Sequence, residues 1–347
     1  MELVSVVIPT FNSRAFIIDA IDSVLAQKYP SIEIIVVDDG STDNTVAVAR
    51  QKLQRDAQKF QVLELGTNKG PGAARNAGLR AANGSWVQFL DSDDVLMPCK
   101  IEREMAVCAT AAPDVVAVYS SWNWGFLESG RIEWLGPPMT PFISGKAPIM
   151  CLAGGCRPLL GACLIRRAAL EQVGGFDEAL RFWECEEVCA KLATVGHFVP
   201  ASSHEAEYLW RLDRHALYIG GSGARYSATA VGLGWIRQAL KVAGNQVVES
   251  LGLPEPDRRL LFNECTLWGR LMYSQDREGF REYLRLARIL DPDLTPSYPR
   301  YISALSRWIG YENAEAVAKV TRQPKVWLRS ALCSLKLRRP NTIIELR

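Results

Sequence analysis

Short β-branched runs and stretches of helical period alternate over the first hundred residues. Leu3–Ile8 (LVSVVI) is a β-branched run stopped by Pro9, the pattern of a strand buried on both faces. Across Asn12–Gln27 the apolar residues Phe16, Ile17, Ala20, Ile21, Val24 and Leu25 recur at helical spacing, with Asn12 or Ser13 available as N-cap. Ile32–Val37 repeats the strand pattern and ends in the turn cluster Asp38-Asp39-Gly40-Ser41-Thr42-Asp43. Thr45–Phe60 then predicts a helix and Gln61–Leu65 a third strand. Gly70-Pro71-Gly72 opens a helix over Ala73–Ala82, and Trp86–Leu90 is a fourth strand running into Asp91-Ser92-Asp93-Asp94. This βαβαβαβ order predicts an α/β fold, a mostly parallel twisted sheet flanked by helices, whose ligands lie beyond the carboxyl ends of the strands. The polar clusters fall at those ends.

Periodicity weakens over Val116–Pro148, where Trp, Gly and Pro are frequent, and predicts irregular strands and a long loop. Leu164–Val173 reads as a helix broken by Gly174-Gly175, and Glu186–Val195 as a helix stopped by Gly196. Beyond about Ser222 the pattern is helix after helix, including Ala228–Val242, Arg258–Ser274 and Arg277–Leu290. The Gly220–Gly223 segment (GGSG) therefore reads as a boundary between an α/β domain at 1–220 and a helical C-terminal extension at 224–347.

Charge changes little in this picture: 40 basic against 38 acidic residues leave a net +2, which gives no electrostatic reason to expect nucleic acid as a partner. Nine cysteines without paired CxxC spacing favour neither a disulfide framework nor a zinc knuckle, and read as reduced thiols of a cytoplasmic protein. The N-terminal MELVSVVIPTFN lacks the plan of a signal peptide, and no apolar run reaches the roughly 18 residues of a membrane span. The 324–340 segment (PKVWLRSALCSLKLRRP) mixes Trp, Leu and five basic residues. It suits either a peripheral contact at the inner face of a membrane or an amphipathic helix packed on the core.

Chemistry concentrates at Asp91-Ser92-Asp93-Asp94, because alternate carboxylates at a strand end can share one divalent cation, and hard oxygen ligands suit Mg²⁺ or Mn²⁺. Taken alone, the cluster could equally be an Asp-rich turn capping the next helix. It stands, however, in an ordered series: VSVVIPTFN at 4–12, IIVVDDGSTDNT at 34–45, NKGPGAARNAGL at 68–79, FLDSDD at 89–94 and GGFDE at 174–178. This series resembles the family 2 glycosyltransferases, of GT-A fold, over about residues 3–215.

The resemblance implies a metal-dependent, inverting transferase. Its donor would be a nucleotide-sugar, often of uridine diphosphate, and its acceptor a saccharide or lipid-linked saccharide, in polysaccharide or glycoconjugate synthesis. It implies that Asp39 accepts the base N–H, which suits uracil or thymine because cytosine has no donor at that nitrogen. Pro9 and Thr10 would border the nucleoside, and Arg75, in the helix opened by Gly70, would contact base or phosphate. Asp93 would ligate the metal directly, Asp91 would bind the ribose or a metal-bound water, and Ser92 would lie with the nucleotide. Relatives often supply a histidine in a pattern such as YRxH. Here the segment is YLWRLDRHALY, with Asp213 at that place and His215 two residues on, so His215 is the candidate third ligand or an exposed loop histidine.

The pattern breaks at the catalytic base. An inverting transfer needs a carboxylate to take the acceptor proton, and the position where the family has that Asp holds Cys185, with Glu184 and Glu186 on either side. A thiol of pKa about 8.5 is a poor base at neutral pH. Glu184 and Glu186 are therefore the candidates, Glu184 first because relatives also carry an acid there; the helix macrodipole alone also favours acids in a first turn. The alternative is a non-catalytic sugar-nucleotide-binding partner subunit. Trp122, Trp124 and Trp134 suit either stacking on sugar rings or closing a core.

Overall fold

The computed structural model describes residues 1–139, 159–180, 184–201, 205–212, 280, 281, 284 and 343–345. Two compact units divide the chain: Met1–Cys151 with Gly155–Tyr218 and Asn341–Arg347, and Leu152–Gly154 with Ile219–Pro340. Of the second unit, Phe280, Arg281 and Leu284 are helical. The other helices expected beyond Ser222, and the 324–340 segment, lie outside the described residues.

The first unit opens with β1 (Val4–Thr10), α1 (Ile17–Leu25), β2 (Ile32–Asp38), α2 (Thr45–Asp56), β3 (Phe60–Glu64), α3 (Pro71–Ala81) and β4 (Trp86–Phe89). It continues with β5 (Val95–Leu96), α4 (Lys100–Cys108), β6 (Val115–Tyr119), β7 (Trp122–Glu128) and β8 (Arg131–Trp134). A 3₁₀ turn at Leu160–Ala162 leads into β9 (Cys163–Arg166), α5 (Arg167–Gln172), α6 (Glu184–Val195), β10 (His197–Pro200) and β11 (Tyr208–Arg211). The last described strand is β12 (Ile343–Glu345).

Seven strands form the main sheet in the order β10-β6-β9-β4-β1-β2-β3. β1 to β4 are mutually parallel, as the alternation predicts, and most residues of β1, β2 and β4 are buried and apolar, Ser5, Glu33 and Gln88 being polar exceptions. Helix α3 lies so close to β1 that a Cβ on Gly78 would fall 2.2 Å from Val7 Cγ1. A second sheet, β12-β8-β7-β11-β5, carries its own smaller core of Val95, Met97, Ile132, Trp134 and Leu209.

Several local expectations are corrected. β1 runs through Pro9 to Thr10, where β2 continues as its neighbour while the β4 pairing has stopped at Val7. An imino nitrogen is tolerated where one side of a strand is vacated. Leu164–Val173 is a strand followed by a short helix: Leu164 and Ile165 are fully buried in β9, antiparallel between β4 and β6, so a continuous apolar run became a central strand. The weakly patterned region holds a regular hairpin, β7–β8. Its two-residue turn, Ser129 at φ 51° and Gly130 at φ 74°, has the twist that tight hairpins need. Helix α1 starts at Ile17 without a side-chain cap; Asn12 instead accepts from the Thr42 N–H at 2.8 Å, and the Ser13 carbonyl accepts from Phe16 and Ile17. Near the C-terminus, Ile343–Glu345 is a strand paired antiparallel to β8.

Candidate functional site

β1 and β2 end side by side at Thr10 and Asp38, and the main-chain N–H of Asp39 donates to the Thr10 carbonyl at 2.8 Å. Thr10 is buried and its Oγ1 has no partner. Asp38 Oδ2 accepts from the N–H groups of Gly40 (3.1 Å) and Ser41 (2.9 Å), while its buried Oδ1 has none. Asp39 reaches the next crossover: its Oδ1 accepts from Lys69 N–H at 2.7 Å and Oδ2 from Gly70 N–H at 2.8 Å. Gly70 sits at φ 100°, a conformation open to glycine, and turns the chain into α3 with Pro71 as the first helical residue. The Asp39 carboxylate thus ties down the start of α3, with lone pairs remaining for a further donor.

One turn into α3, Arg75 bridges two carboxylates. Its Nη1 donates to Glu184 Oε1 and its Nη2 to Asp91 Oδ1, each at 2.7 Å, and its guanidinium lies 5.7 Å from the centre of the Phe176 ring. The fold therefore gathers Arg75, Asp91 and Glu184 from α3, the loop after β4 and the start of α6. Burial pushes the adjacent Cys185 thiol well above its ordinary range despite the opposing charge of Arg75, so it stays protonated and donates to Glu184 Oε1 at 3.7 Å. Glu186 is half-buried on the next position of α6, and Glu187 is buried and paired with Lys191 at 3.1 Å.

The loop after β4 makes a turn, with the Asp94 N–H donating to the Asp91 carbonyl at 3.0 Å. Ser92 is buried and donates to Ser13 Oγ at 2.7 Å. Asp94 is buried and accepts from the Tyr208 hydroxyl and from the Arg211 N–H at 2.9 Å. Asp91 and Asp93 face outward. Protein packed around the Asp93 carboxyl, and then the Asp91 charge, hold its pKa above the usual range even though the residue reaches solvent. Burial and the charges of Asp93 and Asp91 raise that of Asp94 well beyond it.

Two hard oxygen donors, Asp91 and Asp93, in a locus crowded with negative charge fit a Mg²⁺ or Mn²⁺ ion, which would relieve that crowding. No cluster of three metal-ligating side chains occurs among the described residues, and His215 lies outside them.

Sequence reasoning passed over Asp38, Tyr208 and Arg211. Arg211 stacks 5.5 Å from the Phe16 ring and donates from Nη1 to Asp19 at 2.8 Å, while its Nε and Nη2 are buried without partners. Its signal was present in the YLWRLDRHALY segment, but nothing local says that the arginine turns inward. Five of the seven buried side-chain polar atoms without a partner among the described residues belong to Thr10, Asp38, Arg75 and Arg211. Such atoms are rare and costly in a finished interior, and these belong to residues that end β1 and β2 or are hydrogen-bonded to the loop after β4. The tryptophans are placed differently: Trp122 and Trp134 are buried, and Trp124 packs against Trp122 (4.9 Å between ring centres) and Trp210 (5.9 Å).

Comparison with known proteins agrees with this geometry. An uncharacterized glycosyltransferase of Nostoc sp. is 44% identical over 186 residues, 52% of this chain and 56% of that protein. The succinoglycan biosynthesis protein ExoO of Rhizobium meliloti is 41% identical over 115 residues, 33% of this chain and 32% of that one. The chain thus spans about half the length, or less, of these curated relatives. Residues 1–349 of S. aureus TarS, solved in complex with UDP-GlcNAc, share the fold with a TM-score of 0.64 at 21% identity, over 93% of this chain and 92% of that one. The model of the family described as glycosyl transferase family 2 matches residues 5–173, and with the GT-A architecture built above these residues belong to that family.

Proposed function

We propose that the chain is an inverting glycosyltransferase. It moves a sugar from a uridine diphosphate sugar to a saccharide or lipid-linked saccharide acceptor in polysaccharide or glycoconjugate synthesis. The observation that carries this reading is the group of buried, unpartnered polar atoms at Thr10, Asp38, Arg75 and Arg211 around the carboxyl ends of β1, β2 and β4. The complex of TarS with UDP-GlcNAc supports the donor class, and the name of ExoO supports the pathway class.

In this reading Asp39 receives the base N–H while Pro9 and Thr10 flank the nucleoside, and Arg75 and Arg211 direct N–H donors toward the diphosphate. Asp93 and Asp91 hold the divalent cation, with His215 as proposed third ligand. When bound, the cation neutralises charge developing on the departing diphosphate. Glu184, or failing it Glu186, takes the acceptor proton, with the attack arriving opposite the leaving group. Cys185 does not, because its thiol is held protonated. Calorimetric binding of uridine diphosphate with and without Mn²⁺ tests the donor site. Binding should strengthen with the metal in wild type and lose that gain in Asp93→Ala, and absence of nucleotide binding under both conditions refutes the reading.

A second reading, a sugar-nucleotide-binding partner subunit without transfer, is favoured by one observation: Glu184 Oε1 is already engaged by Arg75 and Cys185. Full transfer activity in both Glu184→Gln and Glu186→Gln would remove either acid as base. Donor binding without transfer in the wild type supports the partner subunit.

A further inference from the structure

Behind the site, and outside everything assigned above, lies a polar network with no access to solvent. Lys100 and Glu104, one turn apart on α4, are both 0% exposed and pair at 2.7 Å. Glu104 Oε1 also accepts from Ser120 Oγ at 2.7 Å, and Lys100 Nζ also donates to Gln88 Oε1 at 2.5 Å. Gln88, fully buried in β4, passes the connection on by donating from Nε2 to the Gly161 carbonyl at 2.7 Å. The Tyr208 ring rests on Gly161 so closely that a Cβ there would lie 2.2 Å from the ring carbon Cε2. The hydroxyl of that tyrosine donates to Asp94.

A buried ion pair is a poor source of stability, since desolvation offsets its attraction and apolar residues of similar volume often do as well. Stability alone is a weak reason for a network of four buried polar side chains. Its two outlets supply a reason. Gln88 is three residues before Asp91 in the same strand and loop, and through Gly161 and Tyr208 it also meets Asp94 at the far end of the same turn. We propose that Gln88, held by Lys100 and Glu104, is a positioning residue that sets the spacing of Asp91 and Asp93 toward a divalent cation. It acts on both ends of the Asp91–Asp94 turn without touching cation or substrate. The proposal rests on the donor-site reading above.

The test is calorimetric binding of uridine diphosphate, with and without Mn²⁺, together with thermal unfolding. The proteins compared are the wild type, Gln88→Leu, Tyr208→Phe and the paired variant Lys100→Met with Glu104→Leu. Because no hydrogen bond among the described residues joins Asp39 or Thr10 to the network, metal-free affinity should stay within about twofold of wild type in Gln88→Leu and in the paired variant. The strengthening produced by Mn²⁺ should fall by about tenfold or more in each, the usual effect of disturbing groups that orient metal ligands. The paired variant should keep or raise its melting temperature while losing that gain. Gln88→Leu with an undiminished Mn²⁺ gain overturns the proposal alone. So does a loss in which metal-free binding and melting temperature fall together in all three variants, since a purely structural network would do that. A wild type that binds uridine diphosphate without any Mn²⁺ gain instead overturns the cation reading, and the proposal with it.

Discussion

Arg75 makes two ion pairs of the same length, 2.7 Å, and burial says that they are not equivalent. The Arg75 side chain is 5% exposed, that of Glu184 9% and that of Asp91 47%. Arg75→Met leaves the Glu184 carboxylate buried without its cation, a loss of about 3–5 kcal/mol for a broken buried pair. The half-exposed Asp91 contributes only about 0–1 kcal/mol through its pair, because water screens it. A double-mutant cycle separates the two. Arg75→Met combined with Glu184→Gln should recover most of the loss, giving a coupling of at least about 2 kcal/mol, whereas Arg75→Met combined with Asp91→Asn should couple by less than about 1 kcal/mol. Urea unfolding of the four proteins in each cycle supplies the free energies. Equal couplings, or a larger one for Asp91, would refute the claim that burial ranks these pairs and would leave Glu184 in wetter surroundings than the structure gives it.

Other outcomes follow from single contacts. Gly78→Ala drives a methyl into Val7 of β1 and should destabilise the protein by about 1–3 kcal/mol, seen as a lowered melting temperature; an unchanged one would mean that α3 stands further from the sheet. Gly161→Ala should displace the Tyr208 ring and weaken Mn²⁺-dependent nucleotide binding; if the Mn²⁺ gain matches wild type, the ring does not hold Asp94. Burial raises the folded-state pKa of Cys185 well above the ordinary range and pushes that of Cys108 up to about 12. Both thiols therefore stay protonated when the unfolded chain begins to ionise near pH 8.5, so stability is fully present below about that pH and declines above it. Replacing both cysteines by alanine should flatten the decline, and an unaltered slope across pH 8–10 contradicts the assignment.

How much of the site was legible depends on the range of each interaction. The polar clusters at Asp38–Asp43 and Asp91–Asp94 stand at strand ends because a parallel sheet buries its strands and leaves the carboxyl-edge loops to carry polar groups, a rule that acts over a few residues. Lys100 and Glu104 stand four apart on a helix, a spacing that reads as a solvated surface pair. In the structure both are wholly buried, Lys100 against Gln88 of β4 and Glu104 against Ser120 just after β6. Leu164 and Ile165 show the same limit in an apolar segment, since a short hydrophobic run suits a strand or a buried helix equally until the gap between β4 and β6 selects the strand.

By itself the sequence determined the alternation of β1 to β4 with their helices, the Asp-rich turns that end two of those strands, and the break in the family pattern at Cys185. The first two follow from hydrophobic period and turn chemistry over fewer than about 18 residues, and the third is read from the family resemblance. Tertiary structure alone decided that Arg75 meets Glu184 across 109 residues, that Tyr208 holds Asp94 across 114, and that Arg211 turns its guanidinium inward. The physical reason is that charge pairing and burial depend on distance in space, and chain separation carries no record of it until the sheet has closed.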